Sequence, residues 1–245
     1  MAANFFTLSN IKKVLGLVSN KPAKMVSLGY PDIIVTEKML RRILGDNAME
    51  GLSYRSDGEE ILKWHGMTKL IDKVPEAYDL FSRMGIELTV IDFKEVRGNE
   101  IIVDLNVPIP DELDGQFDIV FDGGTMEHCF NVAQAVINIL GMAKVGGYIY
   151  HTNPLVVINH GFYSFSPTFY YDFYTQNGHK LTSSPVATLN VGLDTQVTEL
   201  NPLERRLDIP LESCIAIILN KCNDENPKFP VQSKYLLEPG LEELG

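Results

Sequence analysis

Cysteine is scarce in this 245-residue sequence, which has only Cys129, Cys214 and Cys222. Their number is odd and their spacing fits no metal-binding motif, so we expect no disulfide framework. No apolar run approaches the ~18 residues that a membrane span requires. The first twenty residues predict an amphipathic helix and lack an apolar stretch followed by a small-residue cleavage site. These absences predict a cytoplasmic protein.

Basic residues are outnumbered by acidic ones. The chain has 21 Lys and Arg against 32 Asp and Glu, a formal net charge of −11, and no block of five like charges. A nucleic-acid partner needs a basic stripe that neutralises phosphates, and an anionic membrane surface attracts basic segments. Neither partner is expected, and a small polar substrate fits the charge better. The sequence does not indicate the oligomeric state.

Short apolar runs alternate with helical periodicity along the chain, whose length suits one α/β domain over residues 1–245. A helix is predicted at 131–143, closed by Gly146 and Gly147 as stop signals. Alternating strands and helices favour a mostly parallel sheet covered on both faces. The predicted strands are residues 23–28, 87–93, 101–105, 117–122 and 148–152, with further β-like stretches at 184–191 and 214–221.

An insertion separates the first two predicted strands. Residues 36–85 have helical periodicity and are about forty residues longer than the single connecting helix of an ordinary unit. Such an insertion either folds over a ligand site as a lid or extends the helical layer, and the sequence favours neither. The acidic tail, residues 223–245, is expected to lie across the domain surface.

Glycine and acidic residues stand where the predicted strands end. In an open parallel sheet, a ligand binds beyond the carboxyl ends of the strands, where the strand order reverses. An acid there accepts hydrogen bonds from ribose hydroxyls, and a glycine allows close approach of the backbone. These features predict a crevice for an adenosine-type cofactor. In strand order, the residues are Gly29, Asp92, Asp104 with Leu105, and Asp122 with Gly123 and Gly124.

The segment FDIVFDGGTMEHCFNVAQAVINILGMAKVGGYIYHTNP, residues 117–154, resembles the class I S-adenosylmethionine-dependent methyltransferases. The run NHGFYSFSPTFYYDFYTQNGH is similar to a substrate-side loop and helix of that family, and IAIILNK resembles its last, antiparallel strand. The resemblance extends from about Lys24 to Lys221. It implies an α/β fold with a Rossmann-like, seven-stranded, mostly parallel sheet, helices on both faces, and here a helical insertion after the first strand.

The resemblance also implies S-adenosylmethionine as the cofactor. Its methionine part would lie beside Gly29, its ribose on Asp92, and its adenine between Asp104 and Leu105. Residues 122–124 would line the floor of the crevice.

One loop departs from the family pattern. The family has G-x-G-x-G after the first strand, whereas this chain reads SLGYPDII, with one glycine and with Pro31, which removes a backbone donor. We expect Asp32 to replace a lost contact to the amino group of the cofactor. A second interpretation is a binding or scaffold protein that kept the fold and lost catalysis.

Two of the five histidines are candidates for catalysis. Methyl transfer to a hydroxyl requires removal of its proton, and imidazole suits that task near neutral pH. His128 and His160 lie where the resemblance places the acceptor, although each also suits a structural role; His151 is expected to be structural. Carboxylate and imidazole ligands from Glu127 and the histidines would suit several metal ions. No compact ligand motif connects them, so no metal is predicted.

The substrate side is predicted from four residues, Arg55, Trp64, Tyr163 and Tyr170. Arg55 would bind an anionic group, Trp64 would cover the pocket, and the two tyrosines would form its walls. We predict a methyltransferase acting on O or N of a small polar metabolite, such as a sugar, a nucleotide sugar or a phosphate-bearing glycan precursor. An NAD-dependent enzyme is a weaker alternative because G-x-G-x-x-G is absent after the first strand.

Overall fold

The computed structural model describes residues 2–204 and 206–236. Its strands are β1 (Ala2–Ala3), β2 (Ala23–Leu28), β3 (Asp32–Ile33), β4 (Ile86–Asp92), β5 (Ile101–Ile102), β6 (Phe117–Asp122), β7 (Ala143–Val156), β8 (Lys180–Leu181), β9 (Val186–Val191), β10 (Asp194–Glu199) and β11 (Ser213–Asn220). Its α-helices are α1 (Phe5–Leu15), α2 (Glu37–Leu44), α3 (Gly58–Trp64), α4 (Ala77–Arg83), α5 (Val132–Met142), α6 (Pro167–Gln176) and α7 (Ser233–Leu236). Residues 237–245 of the predicted tail lie outside the described residues.

Nine strands form the main sheet, in the order β10-β9-β11-β7-β6-β2-β4-β5, with β8 paired to β11. Strands β5, β4, β2, β6 and β7 run parallel to one another, and β11 is antiparallel to β7. This order, with β11 inserted antiparallel between β7 and β9, is the class I methyltransferase-like fold. The prediction of a mostly parallel Rossmann-like sheet is confirmed. The order reverses at β2, between β4 and β6, which defines the expected ligand edge.

Two hydrophobic cores lie on opposite faces of the sheet, because successive strand residues point to opposite faces. In β6, Val120 packs with residues of α5 and α6, whereas Ile119 and Phe121 pack with residues of α1, α2 and α4. All three side chains are fully buried. The helices therefore cover both faces, as the alternating pattern predicted.

The boundary between α5 and β7 differs from the prediction. Helix α5 ends at Met142 and β7 begins at Ala143, so Gly146 and Gly147 lie within a 14-residue strand instead of closing the helix. A side chain on Gly147 would lie 2.9 Å from the Lys144 carbonyl and 3.1 Å from that of Phe117. These glycines permit the irregular pairing at the start of β7, where the register with β6 shifts.

The insertion forms three short helices, α2, α3 and α4, as its periodicity predicted. Ile34, Ile61, Leu62, Ile71 and Val74 form a small separate core beneath it. The SLGYPDII loop beside it is buried and contains β3, which pairs with the N-terminal strand β1. The insertion therefore packs against the loop that follows the first central strand. Across the described parts of the chain, no helix is long and apolar enough to span a bilayer.

Candidate functional site

A buried polar network lies at the carboxyl end of β6 and along β7. Asp122 Oδ2 accepts hydrogen bonds from His151 Nδ1 and from Asn153 Nδ2, both at 2.9 Å. Asn153 Nδ2 also donates to Glu127 Oε2 at 3.0 Å. Helix α6 completes the network: the Tyr170 hydroxyl donates to Asn153 Oδ1 at 2.6 Å, and the Tyr174 hydroxyl lies 2.7 Å from His151 Nε2.

The network shifts the pKa values of its two carboxyl groups, Asp122 and Glu127, in opposite directions. Burial raises the pKa of Glu127 to about 8, and the nearby charge of Asp122 adds to that rise. Burial also acts to raise the pKa of Asp122. The hydrogen bond and charge attraction of His151, together with hydrogen bonds from Asn153 and the Thr125 backbone, outweigh burial, so the pKa of Asp122 lies below its ordinary value. Within this coupled pair, Asp122 is the carboxyl group whose charged form is favoured, and Glu127 is the one that takes up a proton more readily.

Glu127 connects this network to the surface. Its side chain is fully buried, and its Oε1 accepts no hydrogen bond from the described residues. That oxygen lies 3.6 Å from His160 Nε2 and 3.9 Å from His128 Nε2. Both imidazoles are half exposed, and their ring centres are 5.2 Å apart. Burial, and then the neighbouring His160, lower the pKa of His128. The structure thus brings the two predicted catalytic histidines together around one carboxyl group.

The local sequence explains why these groups meet. Asp122 Oδ1 accepts from the backbone N–H groups of Thr125 and Met126, which holds a single 3₁₀ turn, Met126–His128, against the strand end. The backbone N–H of Phe162 donates to the Glu127 carbonyl at 2.9 Å. Gly161 allows this approach, since a Cβ there would lie 2.8 Å from the Glu127 carbonyl oxygen.

The predicted cofactor residues lie along the same edge of the sheet. Gly29 follows β2 with φ 87°, a conformation that favours glycine. Asp92 ends β4, half-buried, and its Oδ1 accepts from the N–H of Phe93 at 2.7 Å. The N–H of Val103 donates to the Asp92 carbonyl at 2.8 Å, which places exposed Asp104 and buried Leu105 just beyond that strand end. Gly123 and Gly124 are half-buried after β6. Their roles in binding stay predictions.

Asp32 is already engaged inside the protein. Its carboxylate accepts hydrogen bonds from Arg97 at 3.2 Å and lies 3.0 Å from His65 Nε2, and the residue is 3% exposed. Burial acts to raise the pKa of Asp32, but the hydrogen bonds from His65 and Arg97 outweigh it, so the pKa is lowered. The expected contact to the amino group of a cofactor does not fit this arrangement, because both carboxylate oxygens have partners.

Three of the four predicted substrate residues lie elsewhere than expected. Tyr170 is fully buried in the network, so it forms no pocket wall. Arg55 pairs with Asp57 at 2.7 Å and lies over the Tyr30 ring, so its charge is already compensated. Trp64 is 83% exposed at the end of α3, so most of its ring faces solvent. Tyr163 lies at the rim, where its hydroxyl donates to the Phe130 carbonyl at 2.8 Å.

Sequence reasoning missed several residues of this edge. Phe93, Phe130 and Phe162 are 70%, 71% and 63% exposed, and the rings of the last two meet edge-to-face at 5.4 Å. An exposed phenylalanine beside Asp92 was detectable, because the residue after a strand-end acid belongs to the same crevice. Asn153 was not detectable, since its partners are distant in sequence.

No protein-family model and no curated protein matches the sequence. Solved structures share the fold at low identity. A methyltransferase from Aquifex aeolicus, described as dependent on S-adenosylmethionine, is 11% identical over 86% of this chain and 88% of its own, with a TM-score of 0.41. TehB from Haemophilus influenzae is 10% identical over 87% of this chain and 62% of its own, with a TM-score of 0.47. YcgJ from Bacillus subtilis is 10% identical over 89% and 98%, with a TM-score of 0.37. The strand order defines the fold.

Proposed function

We propose that this protein is a methyltransferase that takes its methyl group from S-adenosylmethionine and transfers it to O or N of a small polar metabolite. The observation that carries the proposal is that Asp92 ends β4 next to Gly29 at the end of β2, with Asp104 beyond the same end of β4, at the edge where the strand order reverses. The half-buried and exposed carboxylates suit ribose hydroxyls and an adenine amino group. The exposed Phe93 ring next to Asp92 supplies an apolar face for the base.

The residues fit the two ends of the cofactor unequally. At the nucleoside end, Asp92 Oδ2 and Asp104 Oδ2 have no hydrogen-bond partner among the described residues, and the Phe93 ring lies beside them. The methionine end meets a single-glycine loop whose Asp32 is paired with Arg97 and His65. The backbone there is also engaged, because the Gly29 N–H donates to the Ile91 carbonyl at 2.7 Å and the Gly29 carbonyl accepts from the Ser27 hydroxyl at 2.8 Å. We therefore expect the nucleoside end to contribute most of the affinity.

The bound cofactor would supply an electrophilic methyl group, and the protein's residues would orient the acceptor and remove its proton. His128 and His160 lie on the rim at the same edge, half exposed, beside the aromatic residues Phe130 and Phe162. An acceptor hydroxyl or amine held there meets an imidazole that can take a proton. Sugars and nucleotide sugars fit this rim because they offer both hydroxyls and an apolar ring face for the phenylalanines.

Calorimetric titration with S-adenosylmethionine and S-adenosylhomocysteine tests the proposal. We expect micromolar binding to the wild type and at least tenfold weaker binding to Asp92→Ala, about 1.4 kcal/mol. Glu87→Ala is the matched control, because Glu87 is an exposed acid at the opposite end of the same strand. Wild-type protein that binds neither compound, or equal loss in both variants, would contradict the proposal.

A catalytically inactive binding protein is the second candidate. It is favoured by the SLGYPDII loop, which is buried and whose acid is paired internally. Absence of cofactor binding together with retained affinity for a partner protein would support this function over methyl transfer.

A further inference from the structure

Glu127, His128 and His160 form a compact set of three ligating groups. Each offers one ligand atom, and the three atoms all lie within 4.8 Å of one another. The two distances from Glu127 Oε1 are 3.6 Å to His160 Nε2 and 3.9 Å to His128 Nε2. Ligands bound to a tetrahedral ion at 2.0–2.1 Å are about 3.3 Å apart. Shortening the carboxylate–imidazole distances by about 0.3 Å for His160 and by about 0.6 Å for His128 would bring these atoms to that separation.

An unsatisfied buried oxygen points to the same place. Glu127 Oε1 is buried and accepts no hydrogen bond from the described residues, although buried polar atoms are nearly always paired. Its neighbours on the open side are the two half-exposed imidazoles. On the other side lies Gly124, where a Cβ would be 3.1 Å from Glu127 Oε1. Because glycine has no Cβ, residue 124 places no side chain against this oxygen. The oxygen therefore lacks a partner among the described residues and can accept one from outside them.

The groups behind the carboxylate hold it in place. Asn153 Nδ2 donates to Glu127 Oε2 at 3.0 Å, and Tyr170 and Asp122 in turn fix that amide. Hydrogen-bonded neighbours of this kind orient metal ligands, and their loss typically costs 10–100-fold in metal affinity. The other carboxylate oxygen remains free to ligate.

We propose that Glu127, His128 and His160 bind one divalent transition-metal ion. Two imidazoles and one carboxylate suit Zn²⁺, Fe²⁺, Co²⁺ or Ni²⁺, whereas Mg²⁺ and Ca²⁺ prefer sites made of oxygen ligands. The sequence predicted no metal because His160 stands 32 positions after His128 and only the fold brings them together. Three protein ligands leave at least one coordination position open to the exposed rim.

The open position suggests a ligand class. A hydroxyl or carboxylate oxygen of a small acceptor would complete the coordination, and the ion would polarise a bound hydroxyl. His128 and His160 would then be ligands and not bases. This last step rests on the proposed methyl transfer; cation binding itself does not.

Metal titration of the full-length, chelator-treated protein without any cofactor tests the site. Co²⁺ is the probe, followed by its visible absorption, and calorimetry is repeated with Zn²⁺ and Mg²⁺. We expect one Co²⁺ or Zn²⁺ per chain, much weaker Mg²⁺ binding, and at least a tenfold loss of affinity in Glu127→Gln and in the double variant His128→Gln/His160→Gln.

His65→Gln is the control, because it removes a histidine outside the cluster and should retain the site. Circular dichroism checks that each variant is folded; the half-exposed histidines can be replaced without disturbing the core. Wild-type protein that binds no transition metal, variants that bind as tightly as the wild type, or a preference for Mg²⁺ would overturn the proposal. Because no cofactor is present, this result is independent of the calorimetry with S-adenosylmethionine.

Discussion

Gly161 shows how one absent side chain sets the geometry of the Glu127–His128–His160 cluster. A Cβ at this position would lie 2.8 Å from the Glu127 carbonyl oxygen and 2.9 Å from its Cγ. Both atoms belong to a short turn that Asp122 holds against the strand end, so neither can move freely. The loop that carries His160 must therefore shift if Gly161 acquires a side chain.

We expect Gly161→Ala to lower the free energy of unfolding by about 1–3 kcal/mol, the usual cost of overpacking a filled site, and to weaken Co²⁺ binding. Urea unfolding and the metal titration measure the two effects. Gly58→Ala is the control, since a Cβ there makes only ordinary contact with Val74, at 3.5 Å or more, at the start of α3. A Gly161→Ala protein as stable as the control, with an unchanged Co²⁺ spectrum, would refute this account.

At the residue scale, sequence reasoning placed the histidines better than their neighbours. The family resemblance predicted His128 and His160 together where the acceptor would bind, and the structure places their ring centres 5.2 Å apart. Their function stays a prediction. Tyr170 was misplaced because its position in a helix rich in aromatic residues does not show which face is buried. In the structure Tyr170 packs in the core and its hydroxyl donates to Asn153, a contact that the sequence does not reveal.

At the element scale, the insertion is joined to the first loop by a charged contact. Asp32 lies between Arg97, which follows β4, and His65, which follows α3. Its pKa is lowered, since hydrogen bonds from His65 and Arg97 outweigh burial. A carboxyl group with a lowered pKa in the folded state stabilises the fold above its unfolded pKa of about 3.9, and that stabilisation disappears as the pH falls through the folded value.

We therefore expect Asp32→Asn to lower the free energy of unfolding by about 1–3 kcal/mol at pH 7, with a difference from the wild type that shrinks as the pH falls below about 4. Denaturant unfolding at a series of pH values measures it. Asp46→Asn serves as the control, because Asp46 pairs with Arg41 at the surface and its side chain is 82% exposed. A pH-independent difference, or an equal one in the control, would show that the contact does not hold the insertion.

Elements with strong local signals were predicted closely, and those without them were missed. Strands β2 and β6 have the predicted bounds, because each is a short apolar run ended by turn residues. Strand β10, Asp194–Glu199, was missed because it is a polar edge strand whose pairing with β9 depends on tertiary contact. The strand predicted over residues 101–105 extends only over Ile101–Ile102, where both side chains are exposed at the sheet edge.

At the scale of the whole molecule, the two cores share one sheet. Phe121 in β6 packs on the side of α1, α2 and α4, whereas Ile139 in α5 packs on the opposite side. Both are fully buried. The prediction of a single domain requires that the two sides unfold together, because the same central strands supply both cores.

Phe121→Ala and Ile139→Ala test this requirement. We expect losses of about 3–5 and 2–5 kcal/mol, the typical costs of such cavities, each in a single urea transition followed by circular dichroism. Hydrogen exchange in α1 and α5 separates the faces: each substitution should lower the exchange free energy of both helices equally, because opening either side requires the shared strands to separate. If Ile139→Ala affected α5 and left α1 unchanged, the two faces would be independent folding units.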